Sequence, residues 1–113
     1  MKLPNGNRVE LGSKIENYSL NASHREGRHK ARVFASALGI TVARAEVLKA
    51  AVRRAAVESD QVESRGDNGF GELFVLRFLM TTRLGTAKVL TAWMIRREED
   101  FPRLVTCYIL ERP

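Results

Sequence analysis

The sequence predicts an α+β domain in which N-terminal helices pack on a C-terminal antiparallel meander of three or four strands. Two patterns predict it. Apolar residues recur at spacings of three and four, the helical period, from Ala31 to Ala55, within a region of residues 1–58 that is expected to be mainly helical. Strand-like runs separated by turns then fill residues 70–111. Helices followed by consecutive strands are typical of α+β domains, and 113 residues fit one domain spanning residues 1–113.

The chain is expected to begin with irregular structure and a short helix. Residues 4–6 carry a PNG turn signal, and residues 8–11 alternate as a short edge strand would. Ser13 and Glu16 match a capping box. The helix that follows them would turn inward Ile15, Tyr18 and Leu20.

Two longer helices follow. The first begins at Gly27 and ends at Gly39 in a left-handed cap; its inner positions are Ala31, Phe34 and Leu38. The second is capped by Thr41 and runs to about Glu58. Its inner face carries Ala45, Leu48, Ala51, Val52 and Ala55.

Three strands complete the prediction after a polar connector, residues 59–72. The first, LFVLRFLMT, has one face with Phe74, Leu76, Phe78 and Met80 and another with Leu73, Val75, Arg77 and Leu79. An RLG turn leads to TAKVLTAWMIRR, and EEDFP leads to RLVTCYILE.

Composition limits the function classes. The formal charge is +6, from 19 Lys and Arg against 13 Asp and Glu, which favours nucleic acid or an acidic partner. Cys107 is the only cysteine, so internal disulfides and zinc patterns are excluded. The sequence lacks a phosphate-binding GxxxxGK[ST] loop, an apolar export signal and a membrane-spanning run. We therefore expect no metal or cofactor, no membrane association and a cytoplasmic location.

The stretch SHREGRHKARVF, residues 23–34, contains both histidines. His24 lies just before the predicted helix start, where exposed N–H groups favour an anion. Lys30 lies one turn inside, with Arg28 and Arg32 beside it. These cations could hold a phosphate while His24 moves a proton. The alternative is a solvated basic helix start with His29 simply exposed.

A second candidate surface lies on the strands. If Val105, Cys107 and Ile109 face the core, Thr106 and Tyr108 share the opposite face. Arg77, Thr91 and Trp93 could lie on that same surface, where rings stack on bases and the cation and hydroxyls hold phosphate. The alternative is that Thr, Tyr and Trp are ordinary strand formers and that Arg77 extends to water.

The stretch IENYSLNASHREGRHKARVFASALGIT resembles a module of the form Y-x-L-N-x-x-H-x-x-G-x-x-K-A-x-x-F-x-x-x-L-G, found in small bacterial proteins and near the C-terminus of some polymorphic toxins. The ending AWMIRREEDFPRLVTCYIL resembles that module's terminal strands. The matching positions are Tyr18, Leu20, Asn21, His24, Gly27, Lys30, Ala31, Phe34, Leu38, Gly39, Trp93, Pro102, Thr106 and Tyr108.

This module is similar in layout to the barnase–EndoU–colicin–RelE (BECR) ribonucleases, whose helices pack on a four-stranded meander. The resemblance implies that residues 8–11 or part of residues 59–72 supply a fourth strand. It also implies metal-independent RNA cleavage, in which His24 and Lys30 supply acid–base and electrostatic roles while Thr106 and Tyr108 line the substrate groove.

The leading hypothesis is therefore a toxin-type, metal-independent endoribonuclease that cleaves RNA and is held by a small acidic antitoxin or immunity protein. A second is a non-catalytic basic module that binds RNA or a small acidic protein. In a third, the H-x-x-G-x-x-K motif only holds the loop and helix together, which would make Lys30 a residue of stability alone.

Overall fold

The computed structural model describes residues 1–110 of the chain. Two helices precede four strands: α1 is Arg28–Leu38, α2 is Ala45–Glu58, β1 is Val62–Asp67, β2 is Gly71–Thr82, β3 is Gly85–Arg96 and β4 is Arg103–Ile109. Shorter helical segments are Gly6–Arg8, Ile15–Ser19 and Val42–Arg44. The predicted α+β layout of helices followed by an antiparallel meander is confirmed. Residue 111, the predicted end of the sheet region, lies outside the described residues.

The four strands form one antiparallel sheet in the order β1-β2-β3-β4. The strand that the sequence pattern did not assign is β1, which lies within the predicted connector, residues 59–72. Residues 8–11 contribute only a single bridge, between Glu10 and Arg103. Arg83 and Leu84 alone connect β2 to β3, since Thr82 pairs with Gly85. The edges of the sheet are therefore β1 and β4.

The faces of the sheet follow the alternation predicted for β2. Directly paired residues share a face, so Phe74, Trp93 and Leu104 lie together, as do Leu76, Thr91 and Cys107. The residues of this core face pack together with residues of the helices to form the hydrophobic core. The outer face, whose members lie outside the core cluster, carries Leu73, Val75, Arg77 and Leu79 with Leu90, Ala92, Met94, Thr106 and Tyr108.

Both long helices present their predicted faces to the core. Ala31, Phe34 and Leu38 of α1 are buried, and α1 ends at Gly39 with φ +69°, the left-handed cap that the sequence predicts. On α2, Ala45, Leu48, Val52 and Ala56 are buried, and Ala51 and Ala55 pack against the core from partly buried positions.

Two predicted helix caps are wrong. Glu16 does not complete a capping box, because its carboxylate forms an ion pair with Lys49 of α2. The Thr41 side chain makes no capping hydrogen bond. The short helix is one π-helical turn, Ile15–Ser19, which buries Ile15 and Ser19. The Glu16 carboxylate therefore anchors the π-helical turn to α2 and does not cap the N-terminus of that turn.

The π-helical turn is also anchored to the sheet. The Ser19 hydroxyl, fully buried, donates to the backbone carbonyl of Cys107 on β4 over 2.7 Å. This bond places the segment before α1 beside the β4 edge. Within residues 1–110, neither helix has the length and apolar character needed to cross a membrane.

Candidate functional site

The residues before α1 form a tight turn held by side-chain acceptors. Asn21 accepts through Oδ1 from the backbone N–H of Ser23 at 2.9 Å. His24 accepts through Nδ1 from the backbone N–H groups of Glu26 at 3.0 Å and Gly27 at 2.9 Å. These bonds satisfy donors that a helix start would otherwise leave unpaired. The motif positions Asn21 and His24 therefore shape the chain entering α1.

Gly27 belongs to the same construction because another backbone segment passes very close to it. A Cβ atom at this position would lie 2.2 Å from the carbonyl oxygen of Tyr18. Only glycine permits that approach. The turn is thereby pressed against the π-helical segment, which brings the side chain of Tyr18 toward the first turn of α1.

Four half-buried side chains meet there, and we call them the lysine cluster: Tyr18, His24, Lys30 and Tyr108. The Lys30 ammonium donates a hydrogen bond to the Tyr18 hydroxyl. It lies 4.6 Å from the Tyr18 ring centroid and 5.3 Å from that of Tyr108, within the range of cation–π attraction. The His24 ring meets the Tyr18 ring edge-on at 5.1 Å. The structure therefore brings together His24, Lys30 and Tyr108, three of the residues that the sequence and the resemblance single out.

The hydrogen bonds of His24 restrict what it can do chemically. Because Nδ1 accepts two backbone N–H groups, the neutral ring carries its hydrogen on Nε2. His24 can then offer a hydrogen-bond donor to a ligand. To act as the base that the sequence suggested, it would have to lose both backbone bonds.

The cluster lies at the β4 edge of the sheet, beside the outer face. Thr106 and Tyr108 share that face, as predicted from the alternation of β4. Arg77 also lies on it, because Arg77 pairs with Leu90 and Leu90 pairs with Tyr108. Two strand spacings, about 10 Å, separate Arg77 from Tyr108. Its guanidinium also forms an ion pair with Glu63 at 3.0 Å.

The prediction that Thr91 and Trp93 belong to this surface is wrong. Both side chains are 0% exposed and lie on the core face. The Trp93 indole donates to the Thr91 hydroxyl at 2.9 Å, which donates in turn to the Leu76 carbonyl at 3.0 Å. Strand alternation places them one position out of phase with Thr106 and Tyr108. They satisfy each other inside the core and cannot contact a substrate.

Arg28 and Arg32 do not join the lysine cluster either. Each arginine lies two positions from Lys30 along α1. Because two positions correspond to a rotation of about 200° around the helix axis, both arginines project away from Lys30. They line a cleft of about 610 Å³ on the other side of α1, with Asn17, Asn21 and Thr41. Positions that the sequence places next to Lys30 are thus separated by the body of the helix.

Glu16, on the same π-helical turn as Tyr18, forms an ion pair with Lys49 of α2. Their hydrogen bond lowers the pKa of the Glu16 carboxyl and raises the pKa of the Lys49 ammonium, and the nearby Arg53 and Glu46 act in the same directions. Only one Glu16 oxygen is used, since Oε1 is buried without a partner in the described structure. This pair fixes the π-helical turn and thereby Tyr18.

Tyr18 is the functional candidate that the site prediction left out. The sequence placed it on the inner side of a short helix, and the module resemblance listed it as a matching position. It lies twelve residues before Lys30 and in a different helical segment, so no helical or strand periodicity relates the two positions. Only the turn around Gly27 brings the two together, so the motif match was the one available signal.

Comparison with known proteins identifies the family without describing an activity. No curated protein matches the chain significantly. The model of a family described as "Domain of unknown function (DUF6883)" matches residues 2–111. Since that match covers nearly the whole sequence, the chain belongs to this family of domains of unknown function.

Proposed function

We propose that this domain is a toxin-type, metal-independent endoribonuclease whose reacting phosphate binds at the lysine cluster. The observation that carries the proposal is the Lys30 ammonium, held between two tyrosine rings without a carboxylate partner among residues 1–110. A half-buried, uncompensated cation at the edge of an accessible face favours an anion. The net charge of +6 would attract RNA to it.

The proposed reaction is attack of the RNA 2′-oxygen on the adjacent phosphorus. The P–O5′ bond breaks, the 2′-hydroxyl proton passes to solvent, and the leaving 5′-oxygen receives a proton. The products are a 2′,3′-cyclic phosphate and a 5′-hydroxyl end. Lys30 stabilises the negative charge that builds up on the phosphate oxygens.

The neighbours of Lys30 supply hydrogen bonds in this scheme. The Tyr18 hydroxyl accepts from Lys30, which leaves its own hydrogen for the leaving oxygen. The Nε2–H of His24 donates to a phosphate oxygen, so His24 contributes binding and orientation in place of the base role considered from the sequence. Tyr108 and Thr106 line the path by which the RNA strand reaches the cluster.

The same charge implies partners. RNA is the substrate, and a small acidic antitoxin or immunity protein is the natural inhibitor, because acidic side chains would compete for Lys30. Arg77 on the outer face contributes to binding only where a ligand displaces or shares its ion pair with Glu63.

A second candidate function is the non-catalytic basic module. It is favoured by the two backbone bonds to His24 Nδ1, which give the histidine of the H-x-x-G motif a purely structural task. In that case the lysine cluster binds RNA or an acidic protein, and no phosphodiester bond is cleaved.

The test is cleavage of labelled total RNA by the purified protein in EDTA, with the ends analysed for cyclic phosphate. Lys30→Met removes the ammonium and keeps the aliphatic chain. Tyr18→Phe removes the hydroxyl and keeps the ring contact. His24→Asn keeps an acceptor for the turn and removes Nε2. Each variant is expected to stay folded by circular dichroism, and Lys30→Met and Tyr18→Phe to lose about 10²-fold or more in rate.

Thr91→Ser serves as the matched control, since it changes a hydroxyl residue on the core face and should keep full activity. If the unmodified protein binds RNA but does not cleave it, the result would support the non-catalytic module. Cleavage that survives in Lys30→Met would reject the lysine cluster as the site.

A further inference from the structure

The structure contains a hydrogen-bonding edge that the proposed cleavage site does not use. β1 pairs with β2 only from Leu76 back to Glu72. β2 continues to Thr82 and pairs there with β3 alone. Within the described residues, residues 77–82 of β2 therefore have no strand on their β1 side. This segment, which we call the free edge, lies across the sheet from the lysine cluster at β4.

The register shows which backbone groups the free edge presents. The Lys88 carbonyl accepts from the Leu110 N–H, beyond the end of β4, so the backbone groups of Lys88 face away from β2. Lys88 pairs with Leu79. Because the backbone groups of Lys88 face away from β2, Leu79 and Lys88 form a pair that exchanges no hydrogen bonds across the two strands. The N–H and C=O of Leu79 therefore point away from β3, toward the free edge. The same holds for Thr81, two residues further along β2.

A groove runs beside this edge. Between α2 and β2 it is lined by Val47, Ala51, Phe78 and Met80. At the end of β2 it continues into a cleft that shares Val47 and Thr81. The groove gives an added strand an apolar surface for every second side chain.

Two arginines mark one end of the groove. Arg44 and Arg83 both line the cleft at the β2–β3 turn. Neither has a carboxylate partner within residues 1–110, whereas Arg77, at the other end of the free edge, is paired with Glu63. The uncompensated positive charge is thus concentrated where an antiparallel added strand would begin.

We propose that the free edge binds an extended segment of a partner protein as an antiparallel strand, with acidic residues at the N-terminal end of that segment facing Arg44 and Arg83. Strand addition supplies backbone hydrogen bonds to Leu79 and Thr81, and the arginines set the direction and the acidic preference. The partner would bind away from the lysine cluster and would leave it accessible.

A second copy of this chain fits the edge less well. Pairing two free edges so that Leu79 bonds Thr81 in both directions places Arg77 of one copy opposite Arg83 of the other. Like charges directly opposite each other destabilise a strand pair. An acidic partner strand avoids that repulsion.

The test uses the full chain and a fluorescein-labelled probe, acetyl-Glu-Glu-Thr-Val-Thr-Val-Thr-amide, in a fluorescence anisotropy titration. We expect a dissociation constant of roughly 10–100 µM. The same peptide beginning with two lysines should bind about tenfold more weakly or not at all. Hydrogen exchange should show that the probe protects the amides of Leu79 and Thr81.

Variants separate the two parts of the proposal. Leu79→Pro removes one edge donor without breaking a bond to β3, and Leu79→Thr is its matched control. The double charge reversal Arg44→Glu with Arg83→Glu is compared with Arg53→Glu and Arg96→Glu, at exposed positions outside the groove. Leu79→Pro and the first reversal should each weaken binding about tenfold; the controls should stay within about twofold.

Equal binding of the acidic and basic probes, or full binding by Leu79→Pro, would overturn the proposal. So would sedimentation of the chain alone as a dimer that Leu79→Pro dissociates, since the edge would then belong to a second copy. RNA cleavage by Leu79→Pro should equal that of the unmodified protein, so this test and the test of the lysine cluster fail independently.

Discussion

The backbone N–H of Gly27 donates to Nδ1 of His24 over 2.9 Å. This bond joins the first and fourth residues of the H-x-x-G motif and fixes the imidazole at the entry to α1. The same geometry orients Nε2 as the atom left for a ligand. A residue that looks catalytic in the sequence thus has a structural task, which uses Nδ1, whereas the proposed contact with a ligand would use Nε2.

His24→Ala should destabilise the fold, because the N–H groups of Glu26 and Gly27 lose their acceptor. We expect a loss of about 1–2 kcal/mol in the free energy of unfolding, measured by urea denaturation. His24→Asn should recover most of that loss, since its side-chain oxygen can accept the same bonds. Equal stability of the alanine variant and the unmodified protein would show that the turn does not depend on Nδ1.

Gly27→Ala should be far more damaging. The added Cβ would meet the Tyr18 carbonyl at 2.2 Å, and a backbone atom on a buried segment cannot move aside cheaply. We expect a loss of about 3 kcal/mol or more in the free energy of unfolding, seen as a lower melting temperature. Arg28→Ala, at the exposed next position, is the control and should change stability by less than about 0.5 kcal/mol.

Thr91→Val should lower stability without affecting RNA. It leaves the buried Trp93 indole N–H and the Leu76 carbonyl without the hydroxyl that joins them, which costs about 1–3 kcal/mol. Denaturation followed by tryptophan fluorescence measures this directly. RNA binding should be unchanged, and a selective loss of binding in a variant with native stability would restore the surface role that burial excludes.

The ion pair of Glu16 and Lys49 predicts a defined pH dependence. The pKa of Glu16 is lowered from its ordinary value of 4.5, so its contribution to stability is present above about pH 4.5 and is lost as the pH falls through the lowered pKa. The pKa of Lys49 is raised from 10.5, so its contribution is present below about pH 10.5 and is lost as the pH rises past the raised value.

Lys49→Met should therefore be less stable than the unmodified protein between these limits, and the difference should narrow at both ends of the range. Urea denaturation at a series of pH values measures it. Glu46→Gln is the control, because the Glu46 carboxylate is 84% exposed and lies 3.6 Å from Lys49, and it should follow the unmodified protein closely. A difference that does not vary with pH would mean that Lys49 acts through packing alone.

The sequence by itself determined the class of fold and the inward face of each long element. Ala31, Phe34 and Leu38 recur at the helical period, and Phe74, Leu76 and Met80 at the strand period. Each set is buried in the structure, because burial of one face is a local consequence of periodicity. Gly39 ended α1 for an equally local reason, its left-handed backbone.

The tertiary structure alone decided which elements meet and on which side. Alternation says that Thr91 and Trp93 share a face, but only the register with Leu76 and Cys107 shows that this face is the core. The polar composition of β1 gave no strand-like pattern in the sequence. Its residues form a strand because β2 supplies their hydrogen-bond partners.

The lysine cluster depends most on long-range packing. Tyr18 and Lys30 are twelve residues apart, and Tyr108 comes from the far end of the chain. Their meeting requires the close passage of Gly27 and the Tyr18 carbonyl and the buried bond from Ser19 to β4. Periodicity describes neighbours along one element, whereas contacts between elements depend on how their surfaces pack in three dimensions.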